Sequence, residues 1–339
     1  MKVPEPRKLS SGNYFIQLRL NGVSVPVTAP TAKECRQQAA LIKAEHQAGK
    51  RASKPSELTL KEAVDKYIDE RRNVLSPSTI RGYNTIRDNR FQTVMDFKIN
   101  DIKNWQKICN DEARLCSPKT LTNSWRFIAS VLRSADMPVP VVHLPQITPT
   151  ERPYLEPDQL APFIKAVHGT DCEIPALLAL HSLRRSEILA LTWDKVDLKN
   201  KRIQVSGAAV IDENQKLVKK AQNKNAASTR YVPIMINELY DALSSAPDKT
   251  GGVVKCNHNT IWAQINRVCK KAGLPEIGVH GLRHSFATLA YHLNVPEKVA
   301  MHIGGWSDPG TMHKIYTHLS KKDISKYETQ LTAFFKSSE

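Results

Sequence analysis

Two arginines, a histidine and a tyrosine in the second half of the chain have side chains suited to chemistry on a phosphate group. Arg184 stands in Leu-Arg-Arg-Ser-Glu, and His280 precedes Arg283 by three residues in His-Gly-Leu-Arg-His. A planar guanidinium group can bond two oxygens of one phosphate and balance the charge that grows on them during attack. Tyr316 is a candidate nucleophile, because a phenol activated by neighbouring positive charge can form a covalent intermediate. Together these residue types could bind and attack a phosphodiester.

A lysine and a tryptophan extend this set. Lys224 lies in Asn-Lys-Asn, a turn-forming sequence, where an exposed ammonium group could act as a general acid. Lys219 and Lys220 stand close enough in the sequence to be rivals for that role. Trp306 follows two glycines, and its indole N–H can donate one hydrogen bond but cannot shuttle a proton. We therefore interpret Trp306 as a phosphate donor and packing element that positions Tyr316.

The charge of the whole chain indicates a polyanionic partner. The 339 residues carry a formal net charge of +16, which favours nucleic acid or an anionic membrane surface. No apolar run approaches the roughly 20 residues that span a bilayer, and the amino terminus lacks the apolar core of a signal peptide. We expect a protein of the bacterial cytoplasm, associated with the nucleoid and without membrane contact.

The six cysteines are scattered without any Cys-x-x-Cys pair, a pattern typical of reduced packing residues in a cytoplasm. Such spacing disfavours a zinc site, and we expect no bound metal and no cofactor.

The first 50 residues predict a small basic domain, followed by a linker at residues 51–57. Residues 13–28 alternate apolar and polar side chains around Asn21-Gly22, which favours a tight hairpin turn, with Tyr14, Ile16 and Leu18 on one face. Thr31 and Glu34 predict a capping box and a helix that runs to about His46. Residues 1–55 hold ten Lys/Arg against three Asp/Glu, which suits either a solvated face or a strand-based reader of DNA.

Residues 58–140 predict a helical domain, and the proline-rich residues 141–153 a second linker. Thr59 and Glu62 predict a capping box before an amphipathic helix over residues 60–73. Ser76-Pro77 and Ser117-Pro118 each place a capping hydroxyl before a proline in the first helical position. A stripe of Leu121, Trp125, Ile128 and Leu132 is interpreted as core.

Residues 154–339 predict a mixed domain. A helical pattern extends from about Leu155 to Leu191, and helices resume from about Thr260. Between them, short runs in residues 201–234 predict a three-stranded antiparallel sheet with Lys224 on its second turn.

The order of the motifs in this domain resembles that of the tyrosine recombinase family. The resemblance rests on Leu183-Arg184-x-Ser186-Glu187, a β-turn lysine, His280-x-x-Arg283-His284, Gly305-Trp306 and Tyr316. It implies a multidomain chain, mainly α with small antiparallel sheets. In this arrangement an α+β catalytic domain of the tyrosine-recombinase fold follows a helical core-binding domain and a small N-terminal domain of β-sheet and helix. Most members of the family have histidine where this chain has Trp306.

The resemblance also implies the roles of individual residues. Tyr316 would attack the scissile phosphate and form a 3′-phosphotyrosyl bond, while Arg184 and Arg283 bind the phosphate. His280 would assist proton movement at the tyrosine, and Lys224 would protonate the departing 5′-oxygen. Because two arginines supply the positive charge that a magnesium ion supplies elsewhere, we expect strand cleavage to proceed in EDTA.

Several other residues have weaker claims to a role. Tyr291 and Tyr327 are rival nucleophiles, but neither follows a glycine-rich turn at the interval found for Tyr316. Glu187 is interpreted as a partner that orients an arginine. Helically spaced apolar residues between Ile324 and Phe335 predict a tail helix that docks on a neighbouring protomer, with packing on its own subunit as the alternative.

These expectations favour an integrase that joins a mobile element to a host chromosome and excises it through a Holliday junction. Its expected partners are double-stranded DNA at core and arm sites, three further copies in a tetramer, and possible excisionase and host DNA-bending proteins. The alternatives are a chromosome-dimer resolvase or a topoisomerase with the same chemistry, and a catalytically silent architectural protein that binds DNA by charge alone.

Overall fold

The computed structural model describes residues 3–20, 23–52, 58–148, 153–220, 229–310 and 312–313, together with residues 328, 332 and 335. The chain divides into two compact units, Met1–Thr148 and Pro149–Glu339. Helices predominate and the sheets are small and antiparallel, so the predicted fold class is confirmed. Over the described ranges, every helix is too short or too polar to cross a bilayer.

An antiparallel sheet of three strands, packed on one long helix, begins the first unit. The strands lie in the order β1-β2-β3, and their bounds are Arg7–Lys8, Tyr14–Leu20 and Val23–Ala29. The helix α1 spans Ala32–Ala52. Ile16 and Leu18 are buried on the face that packs on α1, which confirms the predicted alternation.

Helix α1 begins as predicted but is longer than predicted. The backbone N–H of Glu34 donates to the Thr31 hydroxyl over 3.2 Å, as expected of a helix start. The helix continues to Ala52, six residues beyond the predicted end at about His46. The extension fits the sequence, because Lys, Arg and Ala, the residue types at positions 50–52, are good helix formers. The predicted turn at Asn21-Gly22 lies outside the described residues.

Four helices with a common core form the rest of the first unit. Their bounds are Leu60–Asp69 for α2, Pro77–Asn89 for α3, Trp105–Glu112 for α4 and Pro118–Ser134 for α5. The stripe predicted on α5 is buried at all four positions, so its assignment to the core is confirmed. Beyond α5 the chain stays on this bundle, where Gln106 exchanges two hydrogen bonds with the backbone of His143.

The predicted helix starts of this bundle differ in their outcome. The capping box of Thr59 and Glu62 is formed, and Ser117 caps α5. Ser76 precedes α3 without capping it, because its hydroxyl hydrogen-bonds the hydroxyl of Ser78 instead. Helix α2 ends at Asp69 rather than at residue 73. Just after this end, Arg71 donates to the Tyr67 carbonyl and stacks on the Tyr67 ring.

Seven helices form most of the second unit over its described residues. They are α6 Pro157–Val167, α7 Glu173–Leu180, α8 Arg185–Ala190, α9 Asn237–Ser244, α10 His258–Lys271, α11 Val279–His292 and α12 Glu297–Gly304. Helix α7 is buried from Pro175 onward, which fits its apolar composition on every face. Helix α9 was missed by the prediction that helices resume at about Thr260, because its eight residues give only two turns of pattern.

The strands of the second unit form two sheets rather than the single predicted one. Strands β4 Val196–Asp197, β5 Arg202–Val205 and β8 Arg230–Pro233 lie in the order β4-β5-β8. Strands β6 Ala208–Ile211 and β7 Leu217–Lys220 pair only with each other in the described sheets. The run around Leu217 therefore belongs to a separate hairpin, and the two-residue strand β4 is too short to predict from alternation.

A buried histidine ends α7 and joins it to the segment after β8. The Nδ1 atom of His181 lies 2.8 Å from the Leu177 carbonyl oxygen. Its Nε2 atom accepts from the backbone N–H groups of Met235 at 2.9 Å and Ile236 at 3.2 Å. An Nε2 that accepts hydrogen bonds carries no proton, so the ring is neutral. Burial lowers the pKa of His181 from 6.5 to about 4.

This lowered pKa predicts a loss of stability in mild acid. Between pH 6.5 and about 4 the unfolded chain binds a proton at His181 that the folded protein does not, so the free energy of unfolding falls as pH falls. The slope from this one group approaches about 1.4 kcal/mol per pH unit. Urea unfolding between pH 7 and 4.5 should show a flatter slope for His181→Gln than for wild-type protein. Equal slopes for the variant and the wild type would contradict the assignment.

Candidate active site

The site is built around one buried carboxylate, that of Glu187 in the first turn of α8. The side chain of Glu187 is 2% exposed. Its Oε2 atom accepts from the backbone N–H of Arg184 over 2.8 Å, and its Oε1 atom accepts from Nη1 of Arg184 over 2.7 Å. The carboxylate thus fixes both the start of α8 and the guanidinium group of Arg184, which confirms Glu187 as an orienting partner.

A second arginine, Arg230 on β8, hydrogen-bonds the same carboxylate. Its Nη1 and Nη2 atoms donate to Oε1 and Oε2 of Glu187, each over 3.1 Å, and its side chain is 1% exposed. Burial acts to raise the pKa of Glu187, but the hydrogen bonds and charge of Arg230, with those of Arg184, outweigh it and lower the pKa. Glu187 is therefore ionised and is balanced by more than one cation.

Arg283 on α11 is also buried and supplies a further positive charge. Its Nη1 atom donates to the backbone carbonyl of Ser182. Its Nη2 atom is buried and has no hydrogen-bond partner among the described residues. Burial, followed by the positive charge of Arg184, lowers the pKa of Arg283 to about 9, so the group stays protonated at neutral pH. A buried cationic donor of this kind is suited to an anion from outside the chain.

The turn after α12 brings the two predicted phosphate-binding arginines together. Arg184 donates through Nη2 to the carbonyl oxygen of Gly305. The Cζ atom of Arg283 lies 4.2 Å from the centre of the Trp306 ring, within cation–π range. Trp306 also stacks on Phe286, with ring centres 6.2 Å apart. Arg184, Arg283 and Trp306, which are distant in the sequence, therefore meet at one turn.

The glycine pair in front of Trp306 permits this close approach. Gly305 has φ 65° and ψ 38°, the left-handed region that favours glycine. A Cβ atom on Gly305 would lie 2.6 Å from Nη1 of Arg230, and one on Gly304 would overlap the Trp306 ring. The backbone N–H of Trp306 closes the turn by donating to the carbonyl oxygen of Met301 over 3.0 Å. Each glycine thus makes room for a side chain of the site.

His280 stands in the first turn of α11, three residues before Arg283 and thus on a neighbouring part of the helix surface. It is exposed and lines a surface cavity of about 430 Å³ with Arg185, Asn259 and Trp262. His284 packs differently, since its ring contacts that of Tyr154 at 4.5 Å between centres. His280 is therefore accessible from the surface.

Two of the six predicted site residues lie outside the described residues. Lys224 falls within residues 221–228, between β7 and β8, and Tyr316 falls within residues 314–327. The described chain leads toward Tyr316 through Met312, which is fully buried beside Ala287, Ala290 and Ala300 of α11 and α12. Within the described part of the chain, no cluster of three or more His, Cys, Asp or Glu residues could hold a metal ion.

Sequence reasoning missed Arg230. The signal was present in Arg-Tyr-Val-Pro-Ile, where burial alternates along β8 and the arginine occupies an inward position with Val232. A charged residue on the inner face of a strand is rarely buried without a partner. The partner could not be identified from the sequence, because Glu187 lies 43 positions away.

Comparison with known proteins places the chain in a family. The sequence pattern of the phage integrase family matches residues 153–323, just over half of the chain. The chain belongs to this family.

Three individual relatives each match part of the chain. The integrase of Salmonella phage P22 is 25% identical over 229 residues, which cover 62% of this chain and 56% of the relative. Prophage integrase IntF of Escherichia coli K12 is 29% identical over 188 residues, which cover 52% of this chain and 38% of IntF. Tyrosine recombinase XerD of Shewanella oneidensis is 24% identical over 231 residues, which cover 64% of this chain and 75% of XerD. The match thus spans about half of the P22 integrase and less of IntF.

Solved integrase structures share the fold. The Tn1549 transposon integrase in complex with circular intermediate DNA aligns with a TM-score of 0.59 at 18% identity, over 76% of this chain and 95% of that one. A lambda integrase tetramer bound to a Holliday junction aligns with a TM-score of 0.56 at 14% identity, over 92% of this chain and 94% of that one. Residues 75–356 of lambda integrase alone align over 76% of this chain. The longer lambda protein therefore aligns with a larger share of this chain.

The contact between Gly305 and Arg230 predicts how a substitution there acts. Gly305→Ala should lower the free energy of unfolding by about 2 to 4 kcal/mol, because the methyl group adds overpacking to left-handed strain. Gly273, also left-handed at φ 67°, has open space where a Cβ would stand. Gly273→Ala should therefore lower the free energy of unfolding only by the cost of left-handed strain, about 1 to 2 kcal/mol. Urea unfolding of the two variants measures the difference, and equal losses would argue against a tight Arg230 contact.

Proposed function

We propose that the protein is a site-specific DNA recombinase that cleaves and rejoins DNA through a 3′-phosphotyrosyl intermediate, and so integrates and excises a mobile element. The convergence of Arg184 and Arg283 on the Gly305-Trp306 turn carries this proposal. This turn precedes Tyr316 by ten residues, so the anion site and the candidate nucleophile are close in the chain. Membership of the phage integrase family supports the same assignment.

The charge of the site suits a phosphodiester under attack. Arg184, Arg230 and Arg283 contribute three positive charges and Glu187 one negative charge, which leaves a net charge of +2. A phosphodiester carries one negative charge, and the pentavalent transition state carries nearly two. A preorganised cationic site therefore stabilises the transition state more than the bound substrate.

Tyr316 is the proposed nucleophile. An unperturbed phenol has a pKa near 10, so about one in a thousand is ionised at pH 7, and activation has to supply about 4 kcal/mol. The tyrosine oxygen attacks phosphorus, the bond from phosphorus to the 5′-oxygen breaks, and a 5′-hydroxyl leaves. The phosphotyrosyl ester conserves the energy of the broken bond, so ligation by the reverse reaction requires no ATP.

Proton transfer is assigned to His280 and Lys224. His280, exposed at the start of α11, hydrogen-bonds the phosphate and assists removal of the phenol proton. Lys224 protonates the departing 5′-oxygen. Trp306 donates its indole N–H to a phosphate oxygen and supports the guanidinium group of Arg283 from one face.

The proposed partner is double-stranded DNA, bound at core sites by the helical and catalytic domains and at arm sites by the basic N-terminal domain. The proposed domains are residues 1–50, 58–140 and 154–339, with linkers at residues 51–57 and 141–153. The active assembly is a tetramer with the tail helix docked in trans, as a tetramer of the related lambda integrase binds a Holliday junction. Excisionase and a host DNA-bending protein are further proposed partners, and the proposed location is the bacterial nucleoid.

A chromosome-dimer resolvase is the second candidate, because the match covers 75% of the XerD relative. The three-stranded sheet and helix in residues 7–52 favour the integrase, since the longer lambda integrase aligns over 92% of this chain. A silent architectural protein is disfavoured by Arg283. Binding of DNA by charge alone requires only exposed cations, whereas burial of the Arg283 guanidinium group costs free energy.

Covalent capture tests the proposed reaction. A suicide substrate that carries the element's core site, incubated in EDTA, should yield a DNA–protein adduct on a denaturing gel. Tyr316→Phe should abolish the adduct, because the ring then lacks the attacking oxygen, while Tyr327→Phe should retain it. The proposal is wrong if wild-type protein forms no adduct, or if the adduct survives in Tyr316→Phe.

A sulfur-substituted substrate tests the role of Lys224. Lys224→Ala should slow cleavage of normal DNA by about 100-fold or more, because the 5′-oxygen leaves poorly without a proton. A 5′-bridging sulfur needs no proton, so its cleavage should change by less than about tenfold. Lys219→Ala serves as the matched control and should cleave both substrates at wild-type rates. Equal losses on the two substrates in Lys224→Ala would exclude general acid catalysis by this lysine.

A further inference from the structure

Arg230 connects the helix start next to Arg184 with the helix end that precedes Trp306. On one side it makes two hydrogen bonds to the carboxylate of Glu187, which holds Arg184. On the other side its Nε atom donates to the carbonyl oxygen of Ile303 over 2.8 Å, in the last turn of α12. Arg230 therefore links the start of α8 to the end of α12 through a single planar group.

The guanidinium group of Arg230 also lies directly against the turn that carries Trp306. A Cβ atom on Gly305 would stand 2.6 to 2.9 Å from three atoms of this group. Since Gly305 also accepts a hydrogen bond from Arg184, the peptide of Gly305 lies between two arginines. Displacement of Arg230 would therefore move both the acceptor of Arg184 and the indole beneath Arg283.

The two arginines on Glu187 differ in their access to a ligand. The side chain of Arg184 is 32% exposed, whereas that of Arg230 is 1% exposed. Only Arg184 of this pair can reach a phosphate at the surface. Without Arg230, the charge of Glu187 would be balanced by Arg184 alone, and the charge available to a phosphate would fall from +2 to +1.

We propose that Arg230 is a positioning residue for DNA strand cleavage, which balances Glu187 and holds the Gly305 turn so that Arg184 and Trp306 face the scissile phosphate. This inference rests on the proposed function. Arg230 itself does not contact DNA. It is the first residue of β8 and follows Lys224 by six positions in the sequence.

A purely structural ion pair would give a different result from a positioning residue. Loss of a structural pair lowers the folded fraction, but the protein that stays folded reacts at the normal rate. Loss of the positioning function lowers the first-order rate of cleavage in folded, DNA-bound protein. Single-turnover adduct formation at saturating protein, together with thermal melting and a DNA dissociation constant, separates these two cases.

The experiment compares four variants with wild-type protein below their melting temperatures. Arg230→Gln should slow adduct formation by about 100-fold or more while DNA affinity changes by less than about threefold, and Arg230→Lys should slow it by about tenfold. The control Arg202→Gln removes another arginine–carboxylate pair, that with Asp197 at 3.1 Å, and should react at the wild-type rate.

The double variant Arg230→Gln with Glu187→Gln tests the charge balance directly. Removal of the carboxylate restores the net charge of +2, so this variant should react at least about tenfold faster than Arg230→Gln alone. The inference is overturned if Arg230→Gln reacts like the Arg202→Gln control, if its loss lies in DNA affinity, or if the second substitution gives no recovery. An absent adduct with wild-type protein would refute the proposed function itself, and the inference with it.

Discussion

A single buried carboxylate organises the catalytic unit. An ionised Glu187 away from water is tolerated only with full compensation, and two guanidinium groups provide it. Because these groups come from Arg184 before α8 and Arg230 on β8, the pairing requires a helix start and a strand to meet at one point. The Nε bond of Arg230 to Ile303 then adds the end of α12. One buried carboxylate and its arginine partners thus connect three separate elements.

The remaining positive charge is what makes the site suitable for an anion. Arg283 is buried beside other cations, and its lowered pKa reflects both the loss of water and the proximity of Arg184. Part of its hydrogen-bonding capacity is used by the carbonyl of Ser182, a residue held at φ 72°, where a side chain is strained. The fold therefore maintains an unfavourable concentration of charge in the free protein. A bound phosphate would relieve that cost, so binding energy is directed to the reacting group.

The sequence predicted the local parts of the site and missed those that depend on distant contacts. Short motifs singled out Arg184, Arg283 and Trp306, which the structure brings together, but their contacts with one another span long stretches of the sequence and could not be derived from it. Capping boxes likewise located the starts of α1 and α2. Arg230 was missed because its role depends on a partner in another element. The division of the strands into two sheets was missed for a similar reason, since β-pairing is decided by packing rather than by alternation alone.

The tryptophan at position 306 has a consequence for how the proposed reaction handles protons. An indole N–H can donate to a phosphate oxygen but cannot accept a proton, which is why the proposed function assigns proton transfer to His280 and Lys224 rather than to Trp306. The large indole ring instead packs against the guanidinium group of Arg283, whose Cζ atom lies 4.2 Å from the ring centre, and Phe286 stacks on the same ring. Such stacking holds a guanidinium plane in one orientation, which a smaller imidazole would do less well. Gly304 and Gly305 are the condition for that arrangement, because a side chain at either position would collide with the ring or with Arg230. Gly304, Gly305 and Trp306 therefore act as one unit, because the two glycines leave the space in which the indole ring stacks on the guanidinium group of Arg283.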